Sequence, residues 1–425
     1  MISRRRMLKA LGAGAALGLS GCASRKLASS AAKVVVVGGG YAGATAAKYL
    51  RLLSNHAIDV ILIEPNEQFM SPALSNLVIG GELRMSDITC SYQGLQRRHG
   101  VRLVHDRVAS IDTDRHTVAL NRGAPIRYDR LVLAPGIEVL LDAVEGLKKS
   151  QAAGRILQGW SAGRETEMLN RQLLAMRDGG VFVITIPEAP YRCPPAPYER
   201  ASLVASFLQR YKPASKVLVL DANPDVTAMG SLFKPAWADQ YPNLLEYRNH
   251  YNAVAVDSDS LTVRFDVQED VKADVLNVLA PVRAGALAVQ AGLANVNGRW
   301  CEVDYLSFAS TRARNVHVLG DSIQAAPMMP KSGHMANAQA KVAAAAIVAT
   351  LLEQPIDPHP MLTNTCFSFV NAREAIHSAT VYEYLEAAGS FRPVHGAGGT
   401  SAAPSALEAS YALSWARNVW ADMLL

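Results

Sequence analysis

Cys193 is the residue with the clearest capacity for chemistry, and it lies in a proline-rich segment between a predicted strand and a predicted helix. Val181–Ile186 is an apolar run typical of a buried strand, and residues 197–211 are predicted to form a helix with proline in its first turn. Cys193 therefore precedes a helix N-terminus, where the helix dipole, Arg192 and Arg200 favour a thiolate. A redox-active cysteine is one interpretation, and a buried structural cysteine is the alternative.

A glycine-rich turn follows the apolar strand Lys33–Val37 and leads into a helical pattern over residues 44–53. In a strand–turn–helix unit of this kind, the first glycine makes the turn, the second lets a pyrophosphate approach and the third lets the helix contact the strand. These positions are Gly38, Gly40 and Gly43. A second apolar strand begins at Asp59 and ends at Glu64, at the spacing expected of an acid that binds the adenosine ribose. A solvated strand-end carboxylate is the alternative for Glu64.

Two later segments favour FAD over NAD as the ligand of this turn. Residues 128–136 resemble the strand and turn that end a first FAD segment, and residues 315–321 end in a Gly-Asp pair that resembles the ribitol and pyrophosphate site of two-dinucleotide flavoproteins. A helix predicted over residues 330–340 would direct its N-terminus at the flavin pyrimidine edge. Lys331 either adds charge there or is a solvated lysine. The predicted FAD-binding residues in these elements are Gly38, Gly40, Tyr41, Ala42, Gly43, Glu64, Pro65, Ala134, Gly136, Gly320, Asp321 and Lys331.

The middle of the chain has the strand rhythm of a second nucleotide-binding fold, but no glycine loop follows Val181–Ile186. We therefore expect that NAD(P)H does not bind there and that electrons enter through Cys193. The predicted fold class is α/β, with two Rossmann-like (glutathione-reductase-like) domains and an FAD domain split by an inserted central domain. The predicted bounds are 33–149 and 286–355 for the FAD domain, 150–285 for the central domain and 356–425 for a C-terminal interface or capping domain.

The first 21 residues are predicted to be a signal peptide. Three arginines at positions 4–6 precede a weakly apolar stretch, which is typical of twin-arginine export, and residues 19–22 form a lipoprotein box ending in Cys22. We expect a periplasmic protein, with a lipid anchor at Cys22 left open. The remaining chain has 38 basic and 37 acidic residues, so nucleic acid is not an expected partner. The histidines show no ligand spacing, and no metal site is predicted.

Residues 193–202 (Cys-Pro-Pro-Ala-Pro-Tyr-Glu-Arg-Ala-Ser) and 364–368 (Asn-Thr-Cys-Phe-Ser), taken with the glycine-rich turn, closely resemble the flavoprotein subunit of flavocytochrome c sulfide dehydrogenase. The resemblance continues from the export signal to the C-terminal tail. It implies that Cys193 and Cys366 form a redox disulfide beside the flavin, that Glu199 is an acid-base candidate and that Trp415 lies near the flavin. A carboxylate that only complements the helix dipole is the alternative for Glu199.

One segment departs from this resemblance. Many members attach FAD covalently through a cysteine in the segment that corresponds to residues 68–76, and Pro72 occupies its apparent position here. We therefore predict that FAD is bound without a covalent link. Cys90 and Cys301 are predicted to be structural or free thiols.

The resemblance implies oxidation of sulfide to polysulfide or sulfur, with electrons passed singly from FAD to a c-type cytochrome. The chain has no Cys-x-x-Cys-His haem attachment motif, so a separate cytochrome subunit is the expected partner. Residues 411–425 have an amphipathic helical pattern that covers the flavin or docks a partner. The alternatives are a sulfide:quinone oxidoreductase acting at the membrane and a flavoprotein without turnover that serves as a sulfur carrier or redox chaperone.

Overall fold

A seven-stranded sheet carries the glycine-rich turn in the computed structural model, which describes residues 31–425. Lys33–Val37 pairs in parallel with Asp59–Ile63 on one side and with Arg130–Leu133 on the other. The order of the strands across the sheet is Val303–Asp304, Ala309–Ser310, Val316–Val318, Arg130–Leu133, Lys33–Val37, Asp59–Ile63 and Arg102–Val104. Strands from both sides of residues 150–285 thus share one sheet, which confirms the split FAD-type domain. The predicted signal peptide and Cys22 lie outside the described residues.

A second sheet of four parallel strands forms the central region. Val181–Ile186 and Lys216–Asp221, both predicted from the sequence, pair with each other at its centre. The order of the strands is Leu245–Arg248, Lys216–Asp221, Val181–Ile186 and Val275–Val278. Three of these strands are almost wholly buried, because helices pack on a parallel sheet, and the edge strand Leu245–Arg248 is half-buried.

Asp221 ends the second strand of this sheet, at the place where a dinucleotide fold holds a ribose-binding acid. Its Oδ2 accepts hydrogen bonds from the hydroxyls of Tyr198, at 2.7 Å, and Tyr247, at 3.1 Å. Its Oδ1 accepts from the backbone and side-chain nitrogens of Asn223, at 2.9 and 2.7 Å. The carboxylate is fully buried, and its hydrogen bonds are made within the protein. This arrangement favours the prediction that NAD(P)H does not bind in the central region.

A three-stranded antiparallel sheet follows near the C-terminus, built from Met361–Phe369, Ala375–Leu385 and Ser390–Thr400. Cys366 lies on its first strand, opposite Ser378. Four small sheets complete the strands found among residues 31–425: Gln68–Met70 with Thr89–Ser91; Val108–Asp112, Thr117–Leu120 and Ile126–Arg127; Ile137–Val139 with Val282–Ala284; and Ala253–Asp257, Thr262–Phe265 and Val271–Lys272.

Ten α-helices of the described chain surround these sheets. They are α1 Tyr41–Leu53, α2 Ser75–Ile79, α3 Gln93–His99, α4 Leu147–Ala152, α5 Arg164–Ala175, α6 Ala196–Tyr211, α7 Gly230–Gln240, α8 Ala286–Gln290, α9 Gly333–Leu351 and α10 Ala406–Leu424. Short 3₁₀ turns occur at Met85–Ile88, Leu141–Ala143, Gly320–Ser322 and Glu386–Ala388. No helix among residues 31–425 is both long and apolar enough to cross a bilayer.

Capping residues determine where the helices nearest the site begin. Ser332 caps α9 by accepting a hydrogen bond from the backbone N–H of Met335, and Ser405 caps α10 by accepting from that of Glu408. Proline occupies the first turn of α6, as predicted. The helix predicted over residues 411–425 is confirmed as α10, which begins five residues earlier than expected.

Candidate functional site

A large cavity of ≈ 520 Å³ opens at the ends of the parallel strands of the seven-stranded sheet. It is lined by the glycine-rich turn, by the residues after Asp59–Ile63 and by the start of α9. The predicted FAD-binding residues that line it are Gly38, Gly40, Tyr41, Ala42, Glu64, Pro65, Ala134, Gly136, Gly320 and Asp321. The sequence motifs thus converge on one cavity, as expected of a dinucleotide site.

The glycines of the turn differ in what surrounds them. A Cβ atom at Gly43 would lie 1.8 Å from the backbone oxygen of Gly38, so this glycine permits contact between α1 and the first strand. Gly38 has a φ of +95°, and its Cβ would lie 2.4 Å from the oxygen of Ala134. A Cβ at Gly40 would meet no protein atom within 4 Å, although Gly40 lines the large cavity. Gly40 therefore leaves space for a ligand, and Gly43 has a packing role.

Glu64 is buried at the wall of the large cavity and is oriented by its neighbours. Its Oε2 accepts from the backbone N–H of Gly39 at 2.7 Å, and its Oε1 accepts from the backbone and side chain of Asn66 at 2.9 and 2.7 Å. The solvated alternative is excluded, because the residue is only 9% exposed. A carboxylate held in this way is preorganised to accept a ribose hydroxyl.

A smaller cavity of ≈ 80 Å³, here called the thiol cavity, contains Cys193 and Cys366. Glu199, Lys331 and Trp415 also line it. The residues that line both cavities are Tyr41, Pro72, Arg192 and Gly333. The two cysteines, 173 positions apart in the sequence, therefore face one space that adjoins the large cavity.

Cys193 sits in the turn before α6 with a φ of +47°, in the left-handed region. Its backbone N–H donates to the carbonyl oxygen of Lys331 at 2.6 Å, and its own carbonyl oxygen accepts from the N–H of Ala196 at 2.9 Å. These bonds join the turn to the start of α9 and to the first turn of α6. The sulfur is held at the cavity wall because its backbone is fixed on both sides.

The predicted thiolate of Cys193 is not supported. Burial raises the pKa of this thiol, and the neighbouring Cys366 and Glu199 raise it further, while Arg192 opposes them. The Arg200 guanidinium is engaged elsewhere, with Asn76, Asn277 and two backbone carbonyls. Desolvation outweighs the nearby positive charge, so the reduced Cys193 is a neutral thiol in this structure.

Cys366 has a different environment from Cys193. Burial also raises the pKa of its thiol, but a hydrogen bond from Asn364 and the nearby Ser332 side chain lower it. The side-chain amide of Asn364 donates to the Cys366 sulfur at 3.3 Å. Both cysteines are free thiols in the structure.

Glu199 is buried on the first turn of α6 and faces the thiol cavity. Its Oε1 accepts from the backbone N–H of Phe369 at 2.9 Å, and its Oε2 accepts from the Asn76 side chain at 2.7 Å. Burial raises the pKa of the carboxyl to about 7 despite these hydrogen bonds. A carboxyl that titrates near neutral pH beside two thiols is suited to proton transfer.

Lys331 does not have either of the environments expected from the sequence. Its ammonium is buried, lies 3.6 Å from the centre of the Trp300 ring and donates to the carbonyl oxygens of Asp321 at 3.1 Å and Ile323 at 2.5 Å. Burial lowers its pKa to about 8. The predicted role of a cation facing the flavin is corrected, because the ammonium is held by backbone oxygens and an aromatic ring.

Two tryptophans of α10 close the site. The Trp420 indole donates to the Ser71 hydroxyl at 3.1 Å, and that hydroxyl is 2.8 Å from the Tyr41 hydroxyl. Trp415 lines the thiol cavity, and its buried Nε1–H has no hydrogen-bond partner among residues 31–425. A buried N–H without a partner is costly, so a bound acceptor is expected beside Trp415.

The sequence predicts for Arg192 only an effect on Cys193, and it does not predict the position of Arg192 at the junction of the two cavities. Its guanidinium lies 3.4 Å from the Asp321 carboxylate, and both side chains are mostly buried. Arg192 lines both cavities, so it presents positive charge to each. Its place directly before Cys193 is the one signal in the sequence that pointed to it. Cys90 and Cys301 line neither cavity, as expected of structural thiols.

Three family models match the chain. The central model of the sulfide dehydrogenase (flavocytochrome c) flavoprotein chain matches residues 166–280, and the flavin-binding model of flavocytochrome c sulphide dehydrogenase matches residues 358–424. The pyridine nucleotide-disulphide oxidoreductase model matches residues 32–174. The chain is also 52% identical to the flavoprotein chain of sulfide dehydrogenase from Chlorobaculum thiosulfatiphilum over 46 residues, which are 11% of this chain and 94% of that one. The chain belongs to the family of flavocytochrome c sulfide dehydrogenase flavoprotein subunits.

More distant relatives of this subunit family share the fold. The chain is 25% identical to the mitochondrial sulfide:quinone oxidoreductase of Dictyostelium discoideum over 298 residues, 68% of this chain and 65% of that protein. The chain thus spans just under two thirds of that relative's length. The crystal structure of the sulfide:quinone oxidoreductase of Aquifex aeolicus superimposes with a TM-score of 0.77 at 18% identity, over 92% of each chain.

The residues of this chain fit the flavin that its family indicates. Gly40 leaves open space in the large cavity, and Glu64 is fixed at the ribose position. Trp415 lines the adjoining thiol cavity, and its unpartnered Nε1–H is available to a bound group. The start of α9 lines both cavities through Gly333, so its N-terminal dipole is available to a flavin there.

Two glycine substitutions separate packing from ligand binding. Gly43→Ala should prevent α1 from packing on the first strand, because its Cβ would overlap the Gly38 oxygen. We expect little soluble, folded protein. Gly40→Ala should fold with an apoprotein melting temperature within about 2 °C of wild type, since surface changes cost little. It should bind flavin at least about tenfold more weakly, because its Cβ occupies the space for the pyrophosphate. Thermal denaturation and flavin fluorescence titration measure the two effects, and equal behaviour of the two variants would contradict these roles.

The raised pKa of Glu199 predicts a carboxyl that is protonated below about pH 7 and ionised above it. Infrared difference spectra between pH 6 and pH 8 should show loss of a protonated-carboxyl band, and Glu199→Gln should lack this change. An exposed glutamate has a pKa of 4.5, so protonation favours the folded state. The unfolding free energy of wild type should therefore fall, relative to Glu199→Gln, as pH rises from about 4.5 through 7. A carboxylate already ionised at pH 5 would contradict the prediction.

Proposed function

We propose that this chain is an FAD-dependent sulfide dehydrogenase that oxidises sulfide through a disulfide between Cys193 and Cys366 and passes electrons to a c-type cytochrome. One observation carries the proposal. Two cysteines and a buried carboxyl line one small cavity, and that cavity shares walls with the site that fits a flavin. The cavity volume of ≈ 80 Å³ suits a small anion such as hydrosulfide better than a bulky thiol.

The chemistry begins with thiol–disulfide exchange. Hydrosulfide attacks one sulfur of the disulfide, the sulfur–sulfur bond breaks, and its electron pair remains on the other cysteine as a thiolate. The attacked cysteine becomes a persulfide. FAD, when bound, supplies a two-electron acceptor that can release its electrons singly. Arg192 attracts the anion to the cavity, and Glu199 takes up or returns the proton of the sulfur species.

The family supports a cytochrome acceptor, because its description is that of a flavocytochrome c. A quinone acceptor is the second candidate, and it is favoured by the similarity to sulfide:quinone oxidoreductases over 68% of this chain. We further propose that the protein is periplasmic and exported by the twin-arginine route.

The proposal predicts that sulfide bleaches the bound flavin and that the bleached protein reduces a c-type cytochrome. Cys193→Ser should slow bleaching by more than about 100-fold, because the exchange step loses its disulfide. Cys90→Ser is the matched control, since Cys90 lines neither cavity, and its rate should equal that of wild type. Stopped-flow absorbance with sulfide or NADH as donor measures each rate.

The outcomes of this experiment separate the candidates. Bleaching that is as fast in Cys193→Ser as in wild type would remove the disulfide from the mechanism. Reduction of a soluble quinone analogue without cytochrome reduction would favour the quinone enzyme. Sulfur uptake without repeated flavin turnover would identify a carrier, and oxidation of NADH at a comparable rate would overturn the interpretation of the central region.

The flavin linkage gives a separate prediction. Pro72 lines both cavities at the position where relatives are expected to carry the flavin-linking cysteine, and proline has no nucleophile. Acid precipitation should therefore release the yellow colour into the supernatant. Pro72→Cys is the informative companion variant, because colour retained on its pellet alone would show that residue 72 is within reach of the flavin. Colour retained on the wild-type pellet would contradict non-covalent binding.

A further inference from the structure

We infer that Asn364, oriented by Ser332, stabilises negative charge on the sulfur of Cys366 and so directs incoming hydrosulfide to Cys193. The inference rests on the proposed function, in which a disulfide joins the two cysteines. It assigns a different task to each sulfur, an order that the sequence left open between Cys193 and Cys366.

A chain of three hydrogen bonds runs from the first turn of α9 to the Cys366 sulfur. The backbone N–H of Met335 donates to Ser332 Oγ at 3.0 Å. The Ser332 hydroxyl donates to Asn364 Oδ1 at 2.5 Å, and Asn364 Nδ2 donates to Cys366 Sγ at 3.3 Å. Each donor points toward the sulfur, so the chain extends the positive end of the α9 dipole to Cys366.

These hydrogen bonds also determine the orientation of the Asn364 amide. The amide oxygen accepts from the Ser332 hydroxyl, so the NH₂ group is the end that faces the sulfur. Asn364 and Ser332 are both buried, at 6% exposure each. Hydrogen bonds to a charged group are stronger in such a low-dielectric environment than at the surface. The donor is therefore preorganised for a thiolate.

The sulfur of Cys193 lacks an equivalent donor. Among residues 31–425, the hydrogen bonds of Cys193 are made by its backbone, to Lys331 and Ala196. Asp321 disfavours charge on its sulfur and Arg192 favours it, while Glu199 disfavours charge on both sulfurs. The two sulfurs of one disulfide thus differ in their ability to carry the electron pair.

The difference in thiolate stabilisation between the two sulfurs determines which sulfur hydrosulfide attacks and which one leaves. Hydrosulfide donates a lone pair to Cys193 Sγ, the bond between Cys193 and Cys366 breaks, and the bonding pair moves to Cys366 Sγ. The proton stays on the outer sulfur of the new Cys193 persulfide, so atoms and charge balance. A sulfur whose thiolate is better stabilised is the faster leaving group.

Other titratable groups near Cys366 also affect the charge on its sulfur. Cys193, Glu199 and Tyr382 interact with it electrostatically. His334 accepts a hydrogen bond from the backbone N–H of Thr365, next to Cys366, at 2.9 Å. Burial lowers the pKa of His334, so it is neutral at neutral pH and does not supply the stabilising charge.

The test measures the thiol of Cys366 directly in the flavin-loaded Cys193→Ser protein. The pH dependence of its reaction with methyl methanethiolsulfonate, followed by mass spectrometry, gives its pKa. Asn364→Asp replaces the donor by an acceptor of the same shape, and it should raise this pKa by at least about one unit, a tenfold change in the thiolate equilibrium. Ser332→Ala keeps the amide but removes its anchor, and it should give a smaller shift in the same direction.

Asn418→Asp is the matched control, because it makes the same chemical change on the exposed face of α10 and should leave the Cys366 pKa unchanged. In the protein with both cysteines, brief sulfide treatment and acid quenching should place the persulfide on the Cys193 peptide.

An unchanged Cys366 labelling profile in a folded Asn364→Asp protein would overturn the inference, as would a persulfide found on Cys366. The labelling arm needs no sulfide turnover. A shifted profile in a protein that does not oxidise sulfide would therefore reject the proposed function while supporting the stabilised thiolate.

Discussion

The start of α9 is where the three parts of the fold meet, and the site depends on the contacts made by three consecutive residues there. The carbonyl oxygen of Lys331 holds the backbone of Cys193, from the central region, at 2.6 Å. Ser332 holds Asn364, from the C-terminal sheet, at 2.5 Å. A Cβ at Gly333 would lie 2.8 Å from the Tyr41 ring, so its absence lets α1 approach. One helix terminus therefore fixes both cysteines and a wall of the large cavity. Because neither Cys193 nor Cys366 is placed by its own element alone, the thiol cavity forms only when the central region, the C-terminal sheet and α9 have come together.

Burial is the second constraint, and it shifts the pKa of four titratable groups that line the thiol cavity. It raises the pKa of both thiols and of Glu199 and lowers that of Lys331. Each of these shifts favours the neutral form. An enclosed site of this kind disfavours unpaired charge. A negative charge that develops during thiol–disulfide exchange must therefore be stabilised by a nearby hydrogen-bond donor or cation. Arg192 and Asn364 are the groups that provide this, one as a cation and one as a dipole.

The sequence predicted the elements well because their signals are local. Val181–Ile186 and Lys216–Asp221 have the predicted bounds, and α6 begins one residue before the predicted position. The environment of individual side chains was predicted less well. The raised pKa of Cys193 follows from burial by segments far away in the sequence, and Lys331 is held by Trp300 and two carbonyls that no local pattern specifies. The pairing of Cys193 with Cys366 came from resemblance to a family, since a separation of 173 positions gives no spacing rule.

The first turn of α6 explains how a nucleotide-type fold can hold a reactive thiol in place of a phosphate loop. Successive helical residues point about 100° apart, so Tyr198, Glu199 and Arg200 leave the helix in three directions. The Tyr198 hydroxyl bonds to Asp221, Glu199 bonds to the backbone of Phe369, and Arg200 bonds to Asn277. These bonds tie α6 to the strand end that a dinucleotide fold uses for ribose, to the C-terminal sheet and to the edge strand of the central sheet. A turn anchored to so rigid a helix can hold Cys193 in the left-handed conformation, which a flexible loop would leave. The tyrosine that satisfies Asp221 thus helps to position the thiol, so the internally bonded acid at the ribose position and the turn that carries Cys193 belong to one hydrogen-bonded arrangement.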